Sequence, residues 1–251
     1  MKPISPLIQY LLGLIALTAA TASLWSSLSL SFEVAQVSDH PVVVNHFARM
    51  TLEAKSALVY ELDTNRVLYA KAERERLPIA SITKLMTALT AAELLPNSTI
   101  IPLGRRHYGL KDLVSLTLVS SSNQGALALA AATADNLNRD LVTEMNNEAK
   151  SLGLGRTSFA NPTGLDLPDG QAGSYSSADD IARLFAHILS VRPELLAATK
   201  FEEIETPTLE GLRHLFQNTN EIIRDLPGLL GSKTGFTNVA EGSLVIAFDR
   251  G

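Results

Sequence analysis

The sequence predicts an α+β protein, because β-rich runs lie at both ends of residues 56–251 and apolar helical segments lie between them. Residues 56–62 and 67–70 are rich in strand-forming side chains and flank an Asp/Asn turn at 63–66, which is typical of an antiparallel hairpin. Strand-forming residues return at 243–248. Hydrophobic residues make up 46% of the chain and charged residues 19%, so it can bury a substantial core.

Composition excludes several classes of function. The net charge of -5 argues against a nucleic-acid partner, because proteins that bind a phosphate backbone usually carry a basic face. The chain has no cysteine, so we expect neither disulfides nor thiolate catalysis nor cysteine-based metal sites. Its five histidines show none of the paired spacings that are typical of zinc sites. We therefore expect no metal and no cofactor.

The N-terminal residues have the character of a membrane-targeting segment. Apart from Lys2, residues 1–32 carry no charged side chain, and residues 7–17 are strongly apolar. An A-x-A pattern at 20–22 favours a cleaved signal peptide, whereas the apolar side chains at 24–30 also allow an uncleaved membrane anchor. In either case we expect the rest of the chain to work outside the cytoplasm. We divide the chain into a targeting segment at 1–32, a linker at 33–55 and a functional domain at 56–251.

Ser81 and Lys84 form the first candidate chemical pair. A serine and a lysine three residues apart on a helix lie on the same face, so the amine can reach the hydroxyl. Pro78 precedes the good helix formers at 85–94, which places Ser81 in or near the first turn. There the free N–H groups of the helix start point at whatever the hydroxyl attacks. In isolation, the same spacing is more typical of a solvent-facing pair on an amphipathic helix.

A second polar cluster interrupts the helical pattern of residues 109–134. Residues 120–123 are Ser-Ser-Ser-Asn between two apolar helices, and these residue types prefer caps and turns to helix interiors. We therefore predict an interhelical turn from which Ser121 and Asn123 point towards another group. Taken alone, the cluster is better explained as a helix–helix turn with an N-cap.

Two further helices are predicted on either side of a turn-rich loop. The first covers residues 141–152, and the second covers 178–189 after an N-cap at Ser177, with Asp180 completing a capping box. The loop at 161–173 contains an Asn-Pro-Thr-Gly turn.

The third cluster is Lys233-Thr234-Gly235, on a predicted strand that pairs with residues 243–248. Glycine allows another backbone or a ligand to come close, while an ammonium group and a hydroxyl suit a carboxylate. By itself the cluster is more simply explained by an edge-strand lysine that discourages aggregation.

The three clusters are far more informative together, because each occurs once and their order and element types agree. In this combination the sequence resembles the penicillin-binding protein and serine β-lactamase superfamily. More narrowly, it is similar to the low-molecular-mass D-alanyl-D-alanine carboxypeptidases and endopeptidases. The resemblance extends over residues 56–251 and is carried by the runs at 78–87, 161–165 and 233–238.

The resemblance implies a three-layer fold, in which an antiparallel sheet with helices on both faces joins an all-helical lobe and the site lies between them. It implies that Ser81 is the nucleophile, which attacks the penultimate D-alanine and forms an acyl-enzyme. Lys84 takes the hydroxyl proton, and Ser121 passes a proton to the leaving amine. The backbone N–H groups of Ser81 and Phe236 form the oxyanion hole.

The resemblance also implies the binding groups and the partners. Asn123 holds the substrate backbone, Lys233 and Thr234 bind the terminal carboxylate, and Gly235 gives clearance. The implied substrate is a peptidoglycan stem peptide that ends in D-Ala-D-Ala, and β-lactam antibiotics are the implied covalent inhibitors. The implied setting is the bacterial cell envelope, at the periplasmic or extracytoplasmic face of the membrane.

Two departures from the superfamily pattern affect the prediction. Class A β-lactamases carry a Glu-x-x-x-Asn loop that activates the deacylating water, and this sequence has none between Asn123 and Lys233. We therefore expect slow release of penicillin and favour a carboxypeptidase, with a cross-link endopeptidase or a non-catalytic penicillin-binding homologue as alternatives. In addition, the family's sheet continues beyond residues 243–248 with a strand and a C-terminal helix, so we expect the chain to be a truncated form.

Overall fold

The computed structural model of the chain describes residues 51–249. The predicted targeting segment at 1–32 and most of the linker at 33–55 lie outside the described residues. Within residues 51–249, no helix combines the length and the apolar character that a membrane span requires.

The predicted front hairpin is confirmed. Strand β1 (Ala57–Glu61) pairs antiparallel with β2 (Arg66–Lys71), and the turn residue Asn65 has a φ of 56°, a left-handed conformation that asparagine tolerates. A two-residue strand, β3 (Leu77–Pro78), then leads into a 3-10 turn at Ala80–Thr83. Strand β3 and this turn therefore bring the chain to Ser81, the first candidate site residue.

The helical middle of the chain packs around one buried helix. Nine of the eleven residues of α1 are buried, because it packs against the three helices that follow it. Full burial of each leucine or methionine in such a core contributes roughly 1.5–3 kcal/mol. The four helices are α1 (Lys84–Leu94), α2 (Leu110–Val119), α3 (Asn123–Leu137) and α4 (Leu141–Ser151).

A fifth described helix, α5 (Ala178–Val191), begins at the cap that the sequence predicts. The Ser177 side chain accepts a hydrogen bond from the backbone N–H of Asp180 at 3.1 Å. The Asp180 carboxylate accepts hydrogen bonds from Arg156 N at 2.7 Å and Thr157 Oγ1 at 2.8 Å. The buried aspartate therefore ties the start of α5 to the loop that follows α4, and the prediction that its carboxylate closes a capping box on Ser177 was wrong.

Besides β3, six short strands lie between the front hairpin and the last strands, and the sequence patterns did not reveal them. Strand β7 lies between β3 and β6 in a three-stranded sheet, while β4 pairs with β5 and β8 pairs with β9. These strands are β4 (Ile100–Leu103), β5 (Arg106–Gly109), β6 (Ser158–Phe159), β7 (Ser174–Ser176), β8 (Glu203–Pro207) and β9 (Arg213–Gln217).

The last described elements form the predicted terminal hairpin. Strand β10 (Leu229–Thr237) pairs antiparallel with β11 (Glu241–Phe248). Helix α5 packs against both β1 and β11, so one helix supports the first hairpin and the last. The α+β class is confirmed, and hydrogen bonding divides the strands of residues 51–249 into five antiparallel sheets.

Candidate active site

Ser81 lies in the 3-10 turn that immediately precedes α1. The Ile82 N–H donates to Ile79 O at 3.1 Å, and Ala80 has a φ of 46°, which is unusual for a residue other than glycine. Lys84 is the first residue of α1. The predicted position of Ser81 near the helix start is confirmed, and the tight turn presents its hydroxyl beside the helix.

The side chains of Ser81 and Lys84 are in direct contact. Lys84 Nζ lies 2.7 Å from Ser81 Oγ and donates a hydrogen bond to Thr163 O at 2.8 Å. The lysine is completely buried, and this burial lowers the pKa of its amine to about 7. When the amine is neutral, it can accept the proton of the Ser81 hydroxyl.

The carbonyl that Lys84 contacts belongs to a tightly ordered loop. Asn161 Oδ1 accepts hydrogen bonds from Thr163 N at 3.0 Å and Gly164 N at 2.8 Å, while Asn161 Nδ2 donates to Leu165 O at 2.9 Å. Gly164 has a φ of 78°, and a Cβ there would lie 1.9 Å from the carbonyl oxygen of Ala80. The loop therefore packs directly against the backbone that carries Ser81.

The predicted turn between α2 and α3 provides the second group of side chains. Ser122 caps α3 by accepting a hydrogen bond from Gly125 N at 3.0 Å. Ser121 has a φ of 55°, a strained conformation for serine, and its Oγ accepts a hydrogen bond from Lys233 Nζ at 2.9 Å. Asn123 Oδ1 is buried and has no hydrogen-bond partner among residues 51–249, which leaves an acceptor available to a bound molecule.

The Lys-Thr-Gly cluster lies on β10 and contacts both other clusters. Lys233 is 1% exposed, and its Nζ also donates to Thr234 O at 2.8 Å. Its pKa is lowered to about 7 by burial and, to a smaller extent, by the charge of Lys84. A Cβ on Gly235 would lie 2.9 Å from both Ser81 N and Ile79 O, so glycine gives the close approach of strand and turn.

Phe236 follows the glycine on β10, and its ring is exposed, with a residue exposure of 72%. The resemblance implies only that the backbone N–H of Phe236 contributes to the oxyanion hole, and that role stays a prediction. The predicted side chains that the structure brings into direct hydrogen-bond contact with each other are the pairs Ser81 with Lys84 and Ser121 with Lys233.

Sequence reasoning missed two side chains that brace the strand carrying the third cluster. Asp166 accepts hydrogen bonds from Thr237 Oγ1 at 2.8 Å and from Val239 N at 3.2 Å, which fastens the end of β10 to the 161–173 loop. Thr219 Oγ1 lies 2.6 Å from Thr234 Oγ1. Asp166 directly follows the Asn-Pro-Thr-Gly-Leu run, and this adjacency was a usable signal, whereas Thr219 has none in its own neighbourhood.

The assembled groups suit acyl transfer by a serine nucleophile. A hydroxyl beside a buried amine of lowered pKa is the arrangement that activates serine, and the second amine contacts a second hydroxyl at the same place. In the part of the chain from 51 to 249, no cluster of three or more acidic or histidine side chains could hold a metal ion.

Comparison with known proteins gives one family and several relatives. The sequence profile described as D-alanyl-D-alanine carboxypeptidase matches residues 43–100 and 91–250. The chain is 32% identical over 219 residues to the D-alanyl-D-alanine carboxypeptidase DacF of Bacillus subtilis, which covers 79% of this chain and 55% of the relative. It is also 32% identical over 239 residues to a D-alanyl-D-alanine endopeptidase of Pseudomonas aeruginosa. That match covers 87% of this chain and 74% of the relative. The chain thus spans little more than half the length of the first relative.

Solved structures agree with this similarity. The ampicillin-bound form of a penicillin-binding protein from Listeria monocytogenes matches with a TM-score of 0.69 and 31% identity, over 80% of this chain and 86% of that one. A D-alanyl-D-alanine carboxypeptidase from Mycobacterium tuberculosis matches with a TM-score of 0.68 and 28% identity, over 79% and 78% of the two chains. The folds correspond over most of the described residues.

Proposed function

Because the chain belongs to the D-alanyl-D-alanine carboxypeptidase family, we propose that it removes the terminal D-alanine from peptidoglycan stem peptides through an acyl-enzyme on Ser81. The observation that carries this proposal is the 2.7 Å contact between Ser81 Oγ and the buried amine of Lys84, whose pKa is lowered to about 7. A neutral amine at this distance is a general base for the hydroxyl.

The proposed acylation step begins with attack of Ser81 Oγ on the carbonyl carbon of the penultimate D-alanine. The hydroxyl proton passes to Lys84 Nζ as the new C–O bond forms, and negative charge develops on the carbonyl oxygen. The backbone N–H groups of Ser81 and Phe236 stabilise this oxygen, and each such donor is typically worth ~3 kcal/mol. The narrow clearance at Gly235 keeps strand and turn close enough for both donors to act together.

The leaving D-alanine requires a proton on its nitrogen before the C–N bond can break. Ser121 supplies this proton, and Lys233 Nζ, which donates to Ser121 Oγ at 2.9 Å, replaces it. Water then attacks the ester carbonyl and gives its proton through Ser121 to Lys233, which is neutral after the first step. Protonated Lys84 returns its proton to Ser81 Oγ as the ester C–O bond breaks, which releases the shortened peptide and restores the Ser81 hydroxyl. The two amines therefore carry protons in opposite directions during one turnover.

Substrate binding uses the remaining predicted side chains. Lys233 and Thr234 bind the terminal carboxylate, because an ammonium group and a hydroxyl lie together on β10. Asn123 contributes its unpartnered Oδ1, which suits a peptide N–H of the substrate backbone. These assignments make the ligand a peptide with a free C-terminal carboxylate.

The same site is proposed to be acylated by β-lactam antibiotics and inhibited by them. The relative from Listeria monocytogenes, which is 31% identical, has been solved in an ampicillin-bound form and supports this extension. The lack of a Glu-x-x-x-Asn sequence between Asn123 and Lys233 supports slow hydrolysis of the penicilloyl ester.

We further propose that the enzyme acts at the extracytoplasmic face of the bacterial membrane or in the periplasm. The apolar character of residues 1–32 supports export, either with a cleaved signal peptide or with a retained anchor. Peptidoglycan, the proposed substrate, belongs to the same compartment.

Incubation with a pentapeptide that ends in D-Ala-D-Ala tests the reaction. We expect the wild-type protein to release D-alanine, detected by mass spectrometry, and Ser81→Ala to release none, since the nucleophile is gone. Ser98→Ala, in an exposed turn, should behave as wild type and is the control. Binding of penicillin without any release of D-alanine would instead identify a non-catalytic homologue.

A second candidate function is cleavage of D-alanyl cross-links. It is favoured by the Pseudomonas aeruginosa endopeptidase, of which the chain covers 74% at 32% identity. Both reactions use the same nucleophile on differently shaped clefts. Incubation with a cross-linked muropeptide dimer separates them, because an endopeptidase yields two monomers and a strict carboxypeptidase leaves the dimer joined.

A further inference from the structure

Thr219 lies outside the three sequence clusters, yet its hydroxyl contacts the proposed carboxylate-binding group. Thr219 Oγ1 is 2.6 Å from Thr234 Oγ1. We propose that Thr219 is a positioning residue, which donates to Thr234 and thereby directs the single proton of the Thr234 hydroxyl at the substrate carboxylate. The inference rests on the proposed function, because it assumes that Thr234 binds a carboxylate.

The backbone around Thr219 is held by the side chain of the preceding residue, Asn218. Asn218 Nδ2 donates to Thr199 O at 3.1 Å and to Phe201 O at 2.9 Å, and Asn218 Oδ1 accepts from Asn220 N at 2.9 Å. Thr219 N itself donates to Val119 O at 3.1 Å, at the end of α2. The position of the Thr219 hydroxyl is therefore set by the fold, even though the residue is exposed.

Thr199 connects this segment to the strand that carries Thr234. Ser232 N donates to Thr199 Oγ1 at 3.0 Å, and Ser232 Oγ donates to Thr199 O at 3.1 Å. The same carbonyl oxygen accepts the hydrogen bond from Asn218. One fully buried residue thus holds both the Thr219 segment and β10, which keeps the two threonine hydroxyls in register.

The direction of the hydrogen bond between the two hydroxyls decides what Thr234 can offer to a ligand. Each threonine hydroxyl has one proton and two lone pairs, so only one of the pair can donate in their mutual hydrogen bond. If Thr234 donated to Thr219, it would present only lone pairs to an incoming carboxylate. Donation by Thr219 leaves the Thr234 proton for the ligand, where a charge-assisted hydrogen bond is stronger than a neutral one.

The test compares acylation by benzylpenicillin, which has a free carboxylate, with acylation by its methyl ester. The rate of mass increase on the intact protein is measured for the wild type, Thr219→Val and Thr219→Ser. We expect Thr219→Val to slow acylation by the acid about tenfold, as expected for a weakened hydrogen bond to a charged group, and to leave the ester rate unchanged. Thr219→Ser, which keeps the hydroxyl, should restore the wild-type rate.

Thr64→Val provides the matched control, because the hydroxyl of this exposed threonine donates a hydrogen bond to Glu61 in the front hairpin. It should react with both compounds as the wild type does. Equal slowing of acid and ester by Thr219→Val, or no slowing of either, would overturn the inference while leaving the proposed function intact. Absence of acylation in the wild-type protein would instead overturn the proposed function. Thr219→Ala repeats the comparison with a second variant that lacks the hydroxyl.

Discussion

The two buried lysines are the residues on which the proposed chemistry depends. Lys84 is fully buried and Lys233 is 1% exposed, and burial lowers the pKa of each amine to about 7. An ordinary lysine, with a pKa near 10.4, is almost fully protonated at neutral pH and cannot accept a proton from serine. Lowering of the pKa therefore turns Lys84 into a base under physiological conditions.

The pH dependence of acylation follows from this pKa. Below about 7, Lys84 is protonated and cannot accept the Ser81 proton, so the acylation rate by penicillin should rise as the pH increases through about 7. Lys84→Arg should lower the rate by about 10²–10⁴-fold at every pH, because arginine stays protonated. Rates measured by intact-mass spectrometry across this range provide the check, with the exposed Lys111→Arg as control. A profile that is flat through neutral pH would contradict the assignment of Lys84 as base.

Site residues were predictable from the sequence where a reactive side chain occurs at an informative spacing from another. A separation of three residues at the start of a helix is enough to predict that the side chains of Ser81 and Lys84 lie on the same side. Thr163 was not predictable, because it contacts Lys84 through a backbone oxygen, 79 positions away, and a backbone oxygen is common to all residues. Thr219 likewise meets Thr234 only after Thr199 has held their two segments together.

At the scale of elements, the 161–165 loop and the 3-10 turn act as one unit. The φ of 78° at Gly164 is a left-handed conformation, and the Ala80 carbonyl leaves no space for a side chain there. The turn residue Ala80, also at positive φ, has no freedom to move away, because Thr83 Oγ1 donates to its carbonyl oxygen at 2.6 Å. The position of Ser81, the proposed nucleophile, therefore depends on a glycine in a distant loop.

Substitution of that glycine should disturb the nucleophile and the fold together. We expect Gly164→Ala to lose more than about 1 kcal/mol of unfolding free energy from the left-handed backbone alone, with a further loss from the 1.9 Å overlap. Its acylation by penicillin should fall in parallel. Gly155→Ala is the control, since a Cβ there meets nothing within 4 Å. Thermal melting and acylation rates measure both effects, and unchanged values for Gly164→Ala would show that the loop is not a support.

Helices and strands were predictable where nearby turn or cap residues mark their ends in the sequence. The Asn65 turn and the Ser177 cap both appear in the sequence, and the structure has the hairpin and the helix at those places. The β8–β9 hairpin was missed because Ile204 is the one aliphatic side chain of β8 and the two apolar side chains of β9, Leu215 and Phe216, are adjacent, so apolar and polar residues do not alternate clearly. Packing against the end of α2 stabilises this hairpin, and such a contact is not encoded locally.

At the scale of the whole molecule, burial of the two amines lowers the free energy of unfolding. The folded pKa of Lys84 is about 7 and the unfolded value is about 10.4, so the unfolded chain binds more protons between these two values. The free energy of unfolding should therefore rise with pH through this window. Below about 7 both states are protonated, and the penalty for burying the charge is then complete.

Removal of the amine should reverse this cost. We expect Lys84→Met to be more stable than the wild type near neutral pH, by about 2 kcal/mol, because its apolar side chain fills the same buried space without desolvating a charge. The advantage should shrink as the pH approaches 10. Denaturant unfolding at several pH values measures it, and Lys111→Met on the surface of α2 is the control. A pH-independent difference between wild type and Lys84→Met would contradict the lowered pKa.

Two amines that share one low-dielectric space also determine how the protein interacts with its solvent. Because burial and, to a smaller extent, the Lys84 charge lower the pKa of Lys233 to about 7, the two amines together carry less than two positive charges near neutral pH. An arriving anion favours the ammonium form and so draws a proton out of the surrounding buffer. The heat of ligand association measured by calorimetry will consequently vary with the ionisation enthalpy of that buffer, even where the affinity does not.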